Sequence, residues 1–168
     1  WTKLSGSFSD DIAHAITVGL DGSIYVSGLA SGVLDGQTSS GAEDAFLTKY
    51  SADGTKVWTK LIGTTARDFA NALATGLDGS IYVAGVTNGS LDRLTNSGGE
   101  DAFLSKFKPD GTKVWTKLLG GSRSDAALGI TIGLDGSIYI SGQTENALDG
   151  QTNSGGLDAF LTKYSTDG

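Results

Sequence analysis

The chain has 168 residues, 26 of them Gly and one Pro, with no Cys and no Met. A net charge of -7 and a pI near 4.5 argue against nucleic acid, because phosphate binding needs a Lys/Arg footprint. The lack of Cys excludes disulfides, thiolate metal sites and Cys nucleophiles, and no apolar run approaches the ~20 residues of a membrane span.

Taken from its start, the chain repeats itself. Trp1-Thr-Lys-Leu recurs at Trp58 and Trp115, 57 residues apart each time, and 27 of the 54 columns shared by all three copies are identical. A long fixed period is the signature of a repeat architecture. The units are residues 1–57, 58–114 and 115–168. A residue present three times serves the unit, so function must come from the assembled array or from positions where the copies differ.

Within the first unit, residues 12–20 form a strand-like run of small residues. Asp21-Gly22 follows as a two-residue hairpin signal, since both positions tolerate φ > 0. Residues 23–28 (Ser-Ile-Tyr-Val-Ser-Gly) form a second run. A polar stretch, residues 29–43, leads to a third run at 44–50. Asp53-Gly54 makes another tight turn into a fourth run at 56–62. β-branched and aromatic residues dominate the last three runs, and none has the length or spacing of a helix.

This pattern predicts an all-β chain with one four-stranded antiparallel sheet per unit. Such a sheet has two apolar faces, Ile24 and Val26 on one and Tyr25 on the other, so it must stack on copies of itself. Radial stacking makes a β-propeller, with the small residues Ala13, Ala15 and Gly19 nearest the axis and Trp58 and Lys60 on the outer strand.

The strings Asp-Gly-Ser-Ile-Tyr-Val-Ser-Gly, Gly-X-X-Asp-Ala-Phe-Leu-Thr-Lys-Tyr and Asp-Gly-Thr-Lys-Val-Trp-Thr-Lys-Leu resemble the bacterial β-propeller repeat called SBBP. The resemblance covers the whole chain. It implies a propeller fold and a secreted or cell-surface setting, cyanobacterial proteins included, but names no activity.

The chain opens inside a fourth strand and stops after a third. Three blades are too few to close a ring, since propellers use four to eight. The third sheet is therefore expected to be completed by another copy of residues 1–4 or by further repeats. Trp1, Thr2, Lys3 and Leu4 are the candidate donor, and the edge formed by Asp158, Ala159, Phe160 and Leu161 is the candidate acceptor. A chain that starts at Trp and holds no Met reads as a processed protein or a segment of a longer array, from which any signal peptide would already be gone.

The Asp-rich loops are the candidate metal ligands: Asp35 with Asp44, Asp92 with Asp101, and Asp149 with Asp158. Carboxylates among Thr, Ser and Asn oxygens and turn-forming Gly suit a hard cation such as Ca²⁺. The competing reading is that Asp44 and its repeats accept backbone N–H bonds and hold the loop. Asp11, Asp68 and Asp125 open the first run of each unit, either capping the preceding turn or adding a third carboxylate. The repeated Trp residues serve either as packing between outer strands or as a carbohydrate platform. His14 is the only His, matched by Asn71 and Leu128, and no nucleophile or orienting group accompanies it.

These observations predict a non-enzymatic scaffold, extracellular or at the cell surface, that self-assembles into a ring or filament and binds glycans or surface proteins. A propeller lectin is the alternative, and a propeller enzyme a further one. Copy-to-copy variation at residues 7–10 and 29–33 and their repeats marks the loops where partner contacts are expected.

Overall fold

The computed structural model describes residues 1–168. All regular structure is β. The first sheet contains β1 (Asp11–Val18), β2 (Ile24–Ala30), β5 (Asp44–Tyr50) and β6 (Lys56–Ile62), in that order. A small hairpin of β3 (Val33–Leu34) and β4 (Gln37–Thr38) lies in its long loop. The second sheet contains β7 (Asp68–Thr75), β8 (Ile81–Thr87), β9 (Asp101–Phe107) and β10 (Lys113–Leu119). The third has three strands, β11 (Asp125–Ile132), β12 (Ile138–Thr144) and β13 (Asp158–Tyr164). Every pairing within these sheets is antiparallel.

The Asp-Gly turns form differently from the two-residue hairpin expected of them. Gly22 lies at φ 76°, but Asp21 is not at positive φ. The Gly22 N–H bonds the Gly19 carbonyl (3.0 Å), and the Gly19 N–H bonds the Ser23 carbonyl (2.8 Å). The loop is thus one residue longer, Leu20-Asp21-Gly22, with Gly22 alone left-handed, the arrangement that three-residue hairpin loops adopt. Asp21 contributes its carboxylate, which accepts the Ser23 N–H at 3.0 Å.

The sheets stack as blades of an open propeller, with the inner strand β7 between β1 and β11. Each inner strand carries a β-bulge where the register skips one residue: His14, Asn71 and Leu128. The bulge drives the backbone toward the neighbouring strand. A Cβ on Gly85 would lie 1.8 Å from the Phe69 carbonyl oxygen, so only Gly fits there and at the equivalent Gly28 and Gly142. The single His of the chain is therefore the exposed residue of a bulge.

The pleat sorts side chains to two faces. Tyr25, Ala45, Leu47 and Ile62 of the first blade meet Ile81, Val83, Phe103 and Phe107 of the second in one core. Tyr82, Ala102, Leu104 and Leu119 meet Ile138, Ile140 and Leu148 of the third in another. The same face thus follows, and the opposite face precedes, at both junctions.

Candidate functional site

Asp35 sits at the tip of the β3–β4 hairpin at φ 52°, and Asp92 and Asp149 hold the same left-handed geometry at 52° and 48°. Asp tolerates this conformation better than most residues. Its carboxylate is spent on the outer strand. Asp35 accepts bonds from the Lys56 ammonium and the Thr59 hydroxyl of β6. Asp92 accepts from Lys113 at 2.7 Å and from Thr116 of β10. Burial works against the charge of Asp35, but the Lys56 and Thr59 bonds outweigh it and hold the carboxyl below its ordinary range; Lys113 and Thr116 do the same for Asp92.

Asp44 does something else. Its side chain is fully buried and accepts the Ser40 N–H at 2.8 Å and the Ser39 hydroxyl at 3.1 Å. Asp101 likewise accepts the Ser97 N–H (2.9 Å), and Asp158 the Ser154 N–H. Gly63 and Gly120 make room for the first two carboxylates, since a Cβ on either would lie 2.3 Å from one of their atoms. Asp35 binds at Thr59 while Asp44 lies against Gly63, four residues along, which places their anchoring points about 13 Å apart. The structure therefore does not bring Asp35 and Asp44 to one point, and no group of three or more His, Asp or Glu side chains converges in the chain.

The inner-strand aspartates cap the turn before them. Asp68 accepts the Thr64 N–H (2.7 Å) and Asp125 the Gly121 N–H (2.7 Å). The Asp68 N–H in turn bonds the Glu43 carbonyl of the preceding blade, which sets buried Asp44 and Asp68 side by side across the junction. Burial, and then the Asp44 charge, push the Asp68 carboxyl up. Asp101 is pushed up in the same way, by burial first and also by Asp125.

The Trp residues are packing elements between blades. Trp58 stacks obliquely on Tyr25 (centroids 5.9 Å apart) and Trp115 on Tyr82 (6.1 Å). The indole of Trp58 also covers Gly111 of the next blade, and that of Trp115 covers Gly168. Lys49, Lys106 and Lys163 of the third strands stand over Tyr25, Tyr82 and Tyr139. Lys49 reaches the Pro109 carbonyl of the next blade at 3.2 Å, and Lys106 the Thr166 carbonyl at the same distance.

The two ends of the stack are left open. Leu47 and Leu104 are 0% and 1% exposed at the two junctions, whereas the equivalent Leu161 on the trailing face of blade three is 73% exposed. On the leading face of blade one, Ile24, Val26, Phe46 and Tyr50 line a cavity of about 310 Å³. Trp1 and Leu4, both exposed, also line it. Residues 1–4 form no strand here, yet Trp1 covers Gly54 as Trp58 covers Gly111 and Trp115 covers Gly168.

Residues 57–92 match the family model of the SBBP β-propeller repeat. The chain carries an SBBP-type β-propeller repeat. Its three units each carry the motif strings matched there. Among curated proteins, the chain is 31% identical over 182 aligned positions to the regulatory protein FlaEY of Caulobacter vibrioides, covering 98% of this chain and 19% of FlaEY. It is 26% identical over 144 positions to an uncharacterized WD repeat-containing protein of Acanthamoeba polyphaga mimivirus, covering 73% of this chain and 10% of that protein. The chain spans a fifth or less of the length of the relatives it matches.

Sequence reasoning missed the partnership between Asp35 and the outer strand. The signal was present: Lys56 and Thr59 recur as Lys113 and Thr116 wherever a fourth strand exists.

Proposed function

We propose that this SBBP-type chain is a non-enzymatic extracellular scaffold that assembles head to tail, the trailing face of blade three packing on the leading face of blade one of a second copy. The observation that supports it is the identity of the two open faces with the two halves of an interface the chain makes twice. Tyr139 and Leu161 repeat Tyr82 and Leu104, and Ile24, Val26 and Phe46 repeat Ile81, Val83 and Phe103. An apolar face of this kind left bare is a site of association.

Polar details match as well. Gly6 repeats Gly63 and Gly120, and so leaves room for Asp158 of a second copy. Lys163 repeats Lys49 and Lys106, with the Ala52 carbonyl of a second copy as its acceptor. Trp1 already occupies the place on Gly54 that an outer-strand Trp of a preceding blade takes. Trp1–Leu4 then serves as the outer strand of the preceding copy's third blade. Contacts of this type are heterologous and give a ring when the rotation closes. Two copies make a six-bladed ring, within the usual range of propellers.

The non-enzymatic part is supported by the repeat family and by the name of its relative, a regulatory protein. The extracellular part rests on the SBBP resemblance and is tested by fractionating cells that express the native gene. Native mass spectrometry tests assembly. A mass of two chains is expected, shifting toward one chain when residues 1–4 are deleted. A monodisperse single chain at micromolar concentration would sink the proposal.

A further inference from the structure

Two pairs of buried carboxyls sit inside the stack, one at each junction between blades of the chain. Asp44 and Asp68 form the first pair, Asp101 and Asp125 the second, and all four residues are 0% exposed. Asp44 lies against Gly63, while Asp68 is held by the N–H of the next residue, Thr64. Asp101 lies against Gly120, while Asp125 is held by the N–H of Gly121. We infer that each junction carries one proton, on Asp68 at the first and on Asp101 at the second, and that this proton latches the two blades together.

The hydrogen bonds select the member of each pair. Asp44 has a donor for each oxygen, the Ser39 hydroxyl on Oδ1 and the Ser40 N–H on Oδ2. Asp68 receives the Thr64 N–H (2.7 Å) and the Thr64 hydroxyl (3.0 Å) on Oδ2 alone, and its buried Oδ1 has no partner. The Thr87 hydroxyl beside Asp68 donates to the Gly89 carbonyl at 3.0 Å instead. At the second junction the roles reverse. Asp125 receives the Gly121 N–H on Oδ2 and the Asn146 side-chain amide on both oxygens, at 3.1 and 3.0 Å. Asp101 receives the Ser97 N–H on Oδ2, and its buried Oδ1 has no partner. An ionised carboxylate only accepts, so an orphan oxygen of this kind carries its full desolvation cost. A proton turns that oxygen into a donor beside the partner carboxylate and leaves one charge in the pair rather than two.

The donor changes sides because two loops share one space. A Cβ on Gly89 would lie 2.4 Å from the Thr64 hydroxyl oxygen, and a Cβ on Gly121 would lie 2.7 Å from the Asn146 amide nitrogen. At the first junction the donor comes from the loop before β7, and Gly89 makes room for it. At the second it comes from the loop after β12, and Gly121 makes room. The other charged side chains flanking the pairs are Glu43 and Arg67, bonded to each other at 2.6 Å, and Glu100, Arg123 and Glu145. Neither arginine bonds a buried carboxyl, so no cation takes the place of the proton.

Burial first, and then the like charge of the partner, raise Asp68 and Asp101 above 3.8. The latch is therefore closed in acid. Its contribution is full below 3.8 and is lost as pH rises through the raised value. Two like charges then face each other across the junction. The Asp68 N–H bond to the Glu43 carbonyl (2.8 Å) and the Asp125 N–H bond to the Glu100 carbonyl (2.7 Å) are the bonds that a loosened junction exposes.

The test is an NMR titration of the aspartate side-chain carboxyl carbons in the full chain, with amide hydrogen exchange read at positions 68 and 125. As pH falls, Asp68 should take up its proton before Asp44, and Asp101 before Asp125. Protection at position 68, corrected for intrinsic exchange, should fall up to about ten-fold per pH unit between 3.8 and the Asp68 midpoint, the slope of one proton. Asp68→Asn places an amide N–H where the proton sat, so it should remove that slope at position 68 and keep it at position 125; Asp101→Asn should do the reverse. Asn146→Gly repeats the residue of Gly89 and strips Asp125 of its amide donor, and should move the second proton from Asp101 toward Asp125 without altering the first pair. Uptake by Asp44 or Asp125 first, or all four carboxyls titrating together near 3.8, would overturn the inference on the parent chain alone. So would a slope at position 68 that survives Asp68→Asn.

Discussion

Leu47, Leu104 and Leu161 are one residue of the repeat in three settings, and truncating each to Ala measures which faces are covered. Leu47 is 0% and Leu104 1% exposed, each within an interblade core, so either truncation removes a buried isobutyl group and leaves a cavity. The cost for such a change is about 2–5 kcal/mol. Taking about 3 kcal/mol and a shift of about 2–4 °C per kcal/mol for a chain of this size, Leu104→Ala should melt roughly 6–12 °C below the parent. Leu161 is 73% exposed in the single chain, and truncating an exposed side chain changes stability by no more than about 0.5 kcal/mol.

The two cases separate with protein concentration. In dilute solution Leu161→Ala should unfold like the parent. Where copies pack head to tail, Leu161 enters the same core that Leu104 occupies, and its truncation should weaken association by up to about a hundred-fold, the equivalent of about 3 kcal/mol. Sedimentation velocity over a range of concentrations reads the association, and thermal unfolding at each concentration reads the linked stability, which rises with concentration only when copies bind the folded form. The reasoning fails if Leu161→Ala leaves association untouched while the parent assembles. It fails equally if Leu161→Ala destabilises the dilute chain as much as Leu104→Ala does.

Two further outcomes follow from the carboxylates. Burial raises Asp68 and Asp101 above the ordinary 3.8, so the folded state holds protons there that the unfolded chain has lost; their contribution is full below 3.8 and is lost as pH rises through the raised values. Asp21, held at about 2 by the Ser23 N–H and then Lys49, works the other way, contributing above 3.8 and losing it as pH falls toward 2, with Asp35 and Asp92 lowered in the same sense. Denaturant midpoints should therefore rise as pH drops from neutral toward about 4 and fall below it, and Asp68→Asn with Asp101→Asn should flatten the upper limb; parallel curves for parent and double variant would refute this. For the Asp loops, a chelator is expected to leave the melting temperature unchanged, because Asp44 and Asp101 are engaged with backbone N–H groups and Asp35 and Asp92 with Lys; a drop of several degrees, abolished by Asn at 44, 101 and 158, would show that calcium holds these loops instead.

The repeat, the strand-length runs and the assignment of Ile24 and Val26 to one face and Tyr25 to the other are legible in the residues alone. They depend on a period of two and on a period of 57, and both are properties of the chain read locally. The partner of each carboxylate is not legible in this way. Asp35 and Asp44 are nine residues apart in one polar loop, and composition makes them look like one site. Only the pairing of β6 on β5 puts Lys56 and Thr59 beside Asp35, and only the blade junction puts Asp68 beside Asp44. The bulge at His14 and the seat of Trp1 on Gly54 were decided in the same way. A strand can be recognised from its own side chains, but a polar group's partner depends on the register of strands distant in sequence, and that register exists only once the sheets have formed and stacked.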